Sequence, residues 1–388
     1  MRIFPWIFAI LFGLGIGWLF RSAVPIGASL FALLLLLFAV YTSRPVKTNP
    51  AAMRSIESDL VPVGGSVGVR THWSGVDALR FRWVRVDETL PDHVEVQGPT
   101  GLMTFGGGEG PMEFVYTVKF PHRGVHALGP SRLAYGDMFG LSSYTSDAGP
   151  ADHVFVHPKV TVIPAVKAPS ARLIGDARGA RAALEDPTLL AGCRPYVAGD
   201  PLKRVHWPAT ARTGRLTSRI YDVSSTPVYT VWLDTCAANY AFDEQFELAC
   251  QAAASLACRL SDDGLDASLE CGGHVPVGEG RLHRALVLRA LASAKREPTP
   301  LHERLLLRTP HVPWRATLIL VTGQIDLMAG AALDLFRKRG HSLAVVAVGD
   351  ALANSYTVAR AAAMGATSAA INNATDLERL RFIAASER

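Results

Sequence analysis

The stretch YVAGDPLKRVHWPATARTGRLTSRIYD, residues 196–222, marks the start of the C-terminal half of the chain. It contains five Lys or Arg side chains, three Tyr or Trp side chains and a Gly-Asp pair, and a short apolar run follows it. A Gly-Asp pair is typical of a tight turn, and the apolar run predicts a buried strand. We therefore expect an ordered segment that leads into a domain with a buried sheet.

Two apolar stretches begin the chain: residues 3–20 and 23–41 are 18 and 19 residues long without a charge. Each is just long enough for a hydrocarbon core of about 30 Å at 1.5 Å per residue. Two residues separate them, so we predict a transmembrane helical hairpin. A signal peptide is the alternative, but no small-residue cleavage site separates the stretches. Three glycines would let the two backbones approach closely: Gly13, Gly15 and Gly17.

Basic residues flank the outer ends of the hairpin. Arg2 precedes the first stretch, and Arg44, Lys47 and Arg54 follow the second. The positive-inside tendency then places both ends in the cytoplasm, although Arg21 in the turn argues weakly for the opposite. After residue 50, 35 basic and 34 acidic side chains nearly cancel, so net charge gives no reason to expect a nucleic-acid partner.

The cysteines fit a reducing compartment. Their number is odd and no CxxC spacing occurs, so neither a disulfide framework nor a zinc site is indicated. Buried free thiols are the expected state. The five positions are Cys193, Cys236, Cys250, Cys258 and Cys271.

Alternating apolar residues predict strands between about 55 and 165. Phe114, Tyr116, Val118 and Phe120 alternate with Val115, Thr117 and Lys119, and a phase slip after Trp83 predicts a bulge. Frequent Gly and Pro favour a small antiparallel sandwich. The glycines at 106–110 could cradle a phosphate, but a strand follows them, so we interpret them as a hairpin loop.

After the basic stretch, short apolar runs alternate with helical patterns. Strands are expected near 227–233, 265–271, 316–321, 343–348 and 366–371. The expected helices cover 242–260, 282–294, 327–339, 351–363 and 376–385. This order predicts an α/β domain with a parallel sheet covered on both faces.

The basic stretch resembles the signature of the domain-of-unknown-function 58 family (DUF58). Eleven positions match it in order: Arg194, Tyr196, Gly199, Asp200, Arg204, Val205, Trp207, Ala211, Arg212, Gly214 and Leu216. Residues 123–130 and 137–141 resemble a second family motif. The resemblance implies a multidomain chain: transmembrane hairpin 1–44, all-β immunoglobulin-like sandwich 45–165, signature segment 166–225, and α/β von Willebrand factor A-like (Rossmann-like) domain 226–388.

A-type domains are known for a metal-ion-dependent adhesion site, so its ligands need a residue-by-residue check. The usual Asp-x-Ser-x-Ser is here Asp234-Thr-Cys236-Ala-Ala238, and the usual Thr-Asp-Gly is Thr322-Gly323-Gln. One carboxylate is too few for a hard divalent cation. We therefore expect a degenerate site with no metal or cofactor. Asp243 and Asp326 are possible substitutes without further support.

The arginines of the signature segment could have either a structural role or a binding role. In the structural interpretation, Arg204 and Arg212 pair with Asp200 and Asp222, and the Trp207 ring packs beneath the loop. A Gly-Asp turn beside a large aromatic residue favours this interpretation for Asp200, Arg204 and Trp207. Alternatively, guanidinium groups bind an anionic partner. For two arginines both readings stay open: Arg215 and Arg219.

Catalytic chemistry has little support in the sequence. No Walker A or His-Glu-x-x-His motif occurs. Cys193, His206 and Asp200 could form a thiol nucleophile, base and orienting group, but structural roles are favoured. His274 and His283 are expected to be exposed or capping residues.

Three functional classes remain open. The resemblance implies a membrane-anchored, non-enzymatic scaffold of the bacterial inner membrane, working with a MoxR-type AAA+ ATPase in assembly or maturation of envelope complexes. The second class is a module that binds a peptide or carboxylate ligand through the degenerate metal site. The third is a hydrolase that uses a thiol.

Overall fold

The computed structural model describes residues 4–42, 44, 50–106, 112–140, 142–164, 190–197, 199–221, 228–309, 312–313 and 316–383. The chain divides into two compact units, Met1–Lys159 with Leu288–Ala294 and Val160–Val287 with Lys295–Arg388. A helical pair is followed by a β-rich region and then by an α/β region with a mostly parallel sheet.

Two apolar helices form the N-terminal pair: α1, Phe4–Leu19, and α2, Ala23–Thr42. The 20 residues of α2 are long and apolar enough to cross a membrane, judged by length and composition. Helix α1 has 16 residues, which at 1.5 Å per residue is about 24 Å and falls short of a core of about 30 Å. Within the described residues, which begin at Phe4, the structure therefore gives one candidate span where the sequence predicts two.

Glycines allow the two helices to touch. A Cβ atom added at Gly13 would collide with the Ser29 hydroxyl, and one at Gly17 would collide with the Ile26 side chain. The predicted close approach is confirmed at these two positions. Gly15 instead faces open space.

The described part of the β-rich region contains eleven strands: β1 Ala51–Ile56, β2 Leu60–Pro62, β3 Ser66–Ser74, β4 Arg82–Asp87, β5 Glu95–Gln97, β6 Gly101–Phe105, β7 Met112–Lys119, β8 Gly124–Leu128, β9 Ser131–Asp137, β10 Ser143–Ala148 and β11 Asp152–His157. They form three sheets, in the orders β1-β3-β7-β5, β10-β9-β4-β6 and β2-β11-β8. The pairing is antiparallel except between β2 and β11. Buried residues from all three sheets share one hydrophobic core.

Sequence alternation identifies most of these strands. Along β7, Phe114, Tyr116 and Val118 are buried while their neighbours are more exposed, as predicted. The predicted bulge near Trp83 is wrong, because a 3-10 helix, Val76–Leu79, precedes β4. The hairpin expected at the glycine cluster is also wrong, because its flanking strands β6 and β7 belong to different sheets.

A buried ion pair ties the sheets together. The side chains of Arg54 on β1 and Glu88 after β4 are 3% and 0% exposed, and their Nη2 and Oε2 atoms lie 2.5 Å apart. The hydroxyls of Thr71 and Ser131 donate to Glu88 Oε1 at 2.9 and 2.8 Å. Arg54 Nη1 also lies 2.9 Å from a carboxylate oxygen of Asp152. Both carboxylate oxygens of Glu88 thus have a donor, and these hydrogen bonds offset the free-energy cost of burying the charge.

The segment before the α/β region is small. Strands β12, Leu190–Pro195, and β13, Thr217–Tyr221, form a two-stranded antiparallel sheet. The connection between them contains a short helix, α3, Trp207–Thr213.

The α/β region holds six strands and five helices among the described residues: β14 Tyr229–Leu233, α4 Asp243–Asp262, β15 Ala267–Glu270, β16 His274–Gly278, α5 Gly280–Ser293, α6 Leu301–Arg308, β17 Thr317–Thr322, α7 Leu327–Lys338, β18 Ser342–Val348, α8 Ala351–Ala363 and β19 Thr367–Ile371. The sheet order is β16-β15-β14-β17-β18-β19, and β16 alone is antiparallel to its neighbour.

Five predicted strands and four predicted helices of this region are confirmed, with small shifts at their ends. Strand β16 and helix α6 were not predicted, because their segments are only 5 and 8 residues long. The helix predicted at 376–385 is wrong: a 3-10 helix covers Ala374–Arg379, and Ile383 then forms an antiparallel bridge with Ser368. The Asn373 side chain caps that 3-10 helix.

Removing one member of the buried ion pair should destabilise the protein strongly. We expect Glu88→Gln to lower the free energy of unfolding by about 3–5 kcal/mol, because Arg54 would remain buried without its counter-charge. The measurement is urea unfolding of the full chain in detergent. Arg70 and Glu113 form a matched control pair with side chains 65% and 40% exposed, and Glu113→Gln should cost less than about 1 kcal/mol. Equal losses at both sites would contradict the role of the buried pair.

Candidate functional site

The signature hairpin, which we define as residues 190–221, folds its long connection back onto its own strands. The Tyr196 N–H donates to the Leu216 carbonyl at 2.8 Å. The His206 N–H donates to the Thr217 carbonyl, also at 2.8 Å. These bonds hold the start of the connection and the start of α3 against β13.

Asp200 closes the turn at the start of the connection. Its carboxylate accepts hydrogen bonds from Arg194 Nη2 at 2.7 Å and from the Val197 N–H at 3.2 Å. The Tyr196 hydroxyl donates to the Asp200 carbonyl at 3.0 Å. The hydrogen bond from Arg194, followed by that from Val197, lowers the pKa of Asp200. The ion-pair partner of Asp200 is Arg194 and not the expected Arg204, but the charge of Arg204 also lowers the pKa of Asp200.

Both ends of α3 are capped locally. The Ala209 N–H donates to His206 Nδ1 at 3.0 Å at the first turn. Gly214 ends the helix with φ 63°, and its N–H donates to the Thr210 carbonyl at 2.9 Å. Gly199 also has a positive φ, 110°, so both signature glycines occupy backbone conformations that other residues disfavour.

Trp207 is 64% exposed, so the expectation that it packs beneath the loop is wrong. A two-stranded sheet with one short helix offers little apolar area to bury a large ring, and Val205, 2% exposed, occupies the interior position. Val197, Leu202 and Leu216 are 59%, 69% and 46% exposed. The hairpin thus presents four large apolar side chains to solvent.

Cations accompany this apolar surface. Arg212, in the last turn of α3, and Arg215, just after it, are exposed, and neither forms an ion pair within the described residues. Arg219 is half-buried on β13 opposite Cys193. Asp222, the partner expected for one of these cations, lies outside the described residues. The structure therefore separates Arg212 and Arg215, which face solvent, from Arg219.

A second candidate site lies at the carboxyl ends of the parallel strands, where α/β proteins commonly bind ligands. Asp234 follows β14 and is fully buried. Its carboxylate accepts from the Cys236 N–H at 2.9 Å, from Asn239 Nδ2 at 2.6 Å and from the Thr322 hydroxyl at 2.7 Å. The Tyr240 hydroxyl donates to its carbonyl at 2.7 Å. Burial raises the pKa of Asp234, and the hydrogen bonds oppose that effect.

These contacts leave Asp234 poorly suited to bind a metal. Both of its carboxylate oxygens already have donors, and a Cβ added at Gly323 would collide with the Asn239 carbonyl. Asp326 caps α7 and Asp243 pairs with Arg296, so each of these carboxylates already has a partner in the protein. Over the described ranges, no group of three or more His, Cys, Asp or Glu could hold an ion.

An arginine from α6 reaches the same end of the sheet. The Arg304 guanidinium contacts the Thr235 hydroxyl and the Glu297 carboxylate, and its side chain is 14% exposed. It lines a cavity of about 210 Å³. Arg304 could not be predicted from the sequence, because α6 itself was not predicted and nothing in its spacing singles out this residue.

Glu270, the last residue of β15, lines the same cavity. Its side chain is 5% exposed, and the His274 ring nitrogen lies 2.5 Å from one carboxylate oxygen. Arg308 lies 3.9 Å from the other. His274 is thus a hydrogen-bond partner of Glu270 and is exposed, as expected. His283, 7% exposed, is buried and not the surface residue expected. The position of Glu270 at a strand end was the one available sequence signal.

The described contacts do not assemble a thiol triad. Cys193 is exposed, but Asp200 is engaged by Arg194 and does not orient His206, whose Nδ1 caps α3. The other four cysteines are buried. Burial raises the pKa of Cys258 to about 11, which keeps that thiol protonated at neutral pH.

A family model described as "Protein of unknown function DUF58" matches residues 192–372. Residues 192–372 form a DUF58 family domain. The DUF58 domain begins inside β12 and ends directly after β19. It therefore contains most of the signature hairpin together with the complete six-stranded sheet. The helical pair and the β-rich region precede the DUF58 domain.

Other comparisons are weak. No curated protein matches the chain. A conjugative transposon lipoprotein from Bacteroides eggerthii is 10% identical, with 26% of this chain and 94% of that chain covered and a TM-score of 0.17. AggA, the major subunit of aggregative adherence fimbriae type I from Escherichia coli, is 7% identical, with 29% and 99% covered and a TM-score of 0.19. Cwp6 from Clostridium difficile is 9% identical, with 83% and 37% covered and a TM-score of 0.16.

We predict that millimolar Mg²⁺ leaves the melting temperature unchanged. Stabilisation by a ligand grows as the logarithm of its concentration over its dissociation constant, and the Asp234 carboxylate has its oxygens engaged by protein donors. The measurement is thermal unfolding with Mg²⁺ or with EDTA. A shift of several degrees that Asp234→Asn abolishes would contradict this prediction and show that a metal site forms there.

Proposed function

We propose that this protein is a membrane-anchored, non-enzymatic scaffold that binds a protein partner through its signature hairpin. The exposure of Trp207 and its apolar neighbours beside two solvent-facing arginines is the observation that carries this proposal. Aromatic and Arg side chains dominate the binding energy of many protein interfaces. An exposed apolar cluster on a small, locally hydrogen-bonded element suits such a role.

We assign the β-rich region to an immunoglobulin-like sandwich, which is supported by antiparallel sheets that share one core. We assign the α/β region to a von Willebrand factor A-like domain. Its six strands, counted in chain order, are arranged 3-2-1-4-5-6, the order of doubly wound Rossmann-like folds.

The partner class follows from the family resemblance: a MoxR-type AAA+ ATPase, acting in assembly or maturation of envelope complexes. The absence of a Walker A motif in the sequence means that a separate protein would have to supply ATP hydrolysis by a P-loop. The exposed Arg212 and Arg215 would bind carboxylates on that partner.

The two alternatives have less support. A ligand-binding module at the carboxyl ends of the parallel strands would use the cavity beside Arg304. The Asp234 carboxylate, however, already accepts hydrogen bonds from the protein, and Arg304 is paired with Glu297. A thiol hydrolase would need a base oriented towards Cys193, and His206 is engaged as a cap.

Charge reversal on the hairpin tests the proposal. We expect Arg212→Glu with Arg215→Glu to weaken capture of a purified MoxR-type ATPase at least about tenfold, or ~1.4 kcal/mol, without unfolding the protein. Binding is measured with the full chain in detergent. The control reverses two exposed arginines elsewhere in the α/β region, Arg281 and Arg379. Equal binding by both double variants would contradict the proposal.

Replacing Trp207 separates binding from stability. Because the ring is exposed, Trp207→Ala should change the free energy of unfolding by no more than about 0.5 kcal/mol and weaken partner binding by roughly 2 kcal/mol or more. Val205→Ala, at the buried neighbouring position, should instead cost about 1–3 kcal/mol of stability. Urea unfolding and partner binding are measured on both variants. A large loss of stability in Trp207→Ala would oppose the docking role.

The membrane topology is a further part of the proposal. We infer a two-pass anchor in the bacterial inner membrane, with α1 paired to α2 and both termini in the cytoplasm, because the basic residues flank the outer ends of the hairpin. A reporter active only in the periplasm should therefore stay inactive when fused after Arg388. An active reporter would contradict this orientation.

A further inference from the structure

An exposed apolar rim lies at one end of the second sheet of the β-rich region. Phe81, Phe105, Met138 and Phe139 are 52%, 61%, 53% and 42% exposed, and we call them the aromatic rim. Four large apolar side chains grouped at one end of a sheet are unusual on a surface that contacts only water.

The strand register brings these four residues together. Arg82, the first residue of β4, pairs with Asp137, the last residue of β9. Trp83 pairs with the final residue of β6, Phe105. The residue before Arg82 and the two residues after Asp137 therefore lie at the same end of the sheet as Phe105.

Contacts with α2 fix this end beside the candidate span. The rings of Phe81 and Phe38 lie 5.7 Å apart at an interplanar angle of 67°. Arg82 Nη2 donates to the Arg44 carbonyl at 2.7 Å. Phe38 is four residues before the end of α2, which corresponds to about 6 Å along a helix. Phe81 thus lies at the depth of the last turn of that helix.

The charges at the rim suit an anionic surface. Residues 80–82, 104–106 and 137–140 contain two arginines and one acid, and that acid, Asp137, is fully buried and accepts a hydrogen bond from the Phe139 N–H at 2.8 Å. Arg80 is exposed, and its guanidinium carbon lies 5.7 Å from the centroid of the Phe81 ring. Arg44 is also exposed. Exposed aromatics beside cations are typical of segments that bind the membrane interface.

We propose that the aromatic rim inserts into the interfacial layer of the bilayer beside the end of α2, with Arg80 and Arg44 at anionic lipid headgroups. This inference rests on the proposed membrane attachment through α2. It gives the β-rich region a second lipid contact, so this region would be held against the membrane and not tethered by a free linker. Each cation near an anionic surface adds attraction that falls within a Debye length.

The test places a fluorescent label on the rim of the full chain. Cys193 is exposed and the other four cysteines are buried, so Cys193→Ser gives a background with low labelling. Met138→Cys is added, labelled with an environment-sensitive dye, and reconstituted into anionic phospholipid vesicles that contain lipids with a quencher near the headgroup. We expect a large loss of emission. Val125→Cys is the matched control, a 44% exposed position on β8 of the third sheet, and its emission should be retained.

A third label distinguishes failure of this inference from failure of the proposed anchor. Leu37→Cys lies on α2, where the side chain is 57% exposed. Quenching at Leu37→Cys and Met138→Cys but not at Val125→Cys supports the inference. Quenching at Leu37→Cys alone would overturn it and leave the anchor standing, as expected if the rim binds another protein. Retained emission at Leu37→Cys would overturn the anchor and the inference together.

Discussion

The hydrogen bonds of Asp200 hold the signature hairpin in the shape that the rest of the site requires. Its carboxylate accepts hydrogen bonds from Arg194 on β12 and from the Val197 N–H in the following turn. The Tyr196 hydroxyl donates to the backbone carbonyl of Asp200 in the same turn. A two-stranded sheet has too little area to bury large side chains by itself. With the turn fixed in this way, Trp207 lies at the surface, where the proposed function would have it contact a partner.

The loop that follows β14 differs from the hairpin, because its acidic side chain is buried and already bonded by the protein. At the carboxyl end of β14, Asp234 accepts hydrogen bonds from Asn239, Thr322 and the backbone. A buried carboxylate whose acceptors are satisfied stabilises its loop and has few free positions for a ligand. For this reason we propose the signature hairpin, and not the Asp234 loop, as the surface that binds a partner.

Much of the fold follows from the sequence because its signals are local. Period two identifies β7, and apolar runs separated by helical patterns identify the parallel strands from β14 to β19. The failures have physical causes. The exposure of Trp207 could not be predicted from its residue type, because exposure depends on how much apolar surface nearby can cover the ring. Arg304, Glu297 and Glu270 come from three separate segments of the chain and meet only in the folded protein. Their spacing in the sequence does not indicate that they lie close together.

Hydrogen–deuterium exchange of the full chain, with and without a MoxR-type AAA+ ATPase, tests whether the signature hairpin binds the partner. We predict that partner binding slows exchange of backbone amides across residues 202–216, while residues 234–239 after β14 exchange unchanged. Slower exchange at 234–239 and 297–308, with no change in the hairpin, would contradict it, because the sheet edge would then be the binding surface.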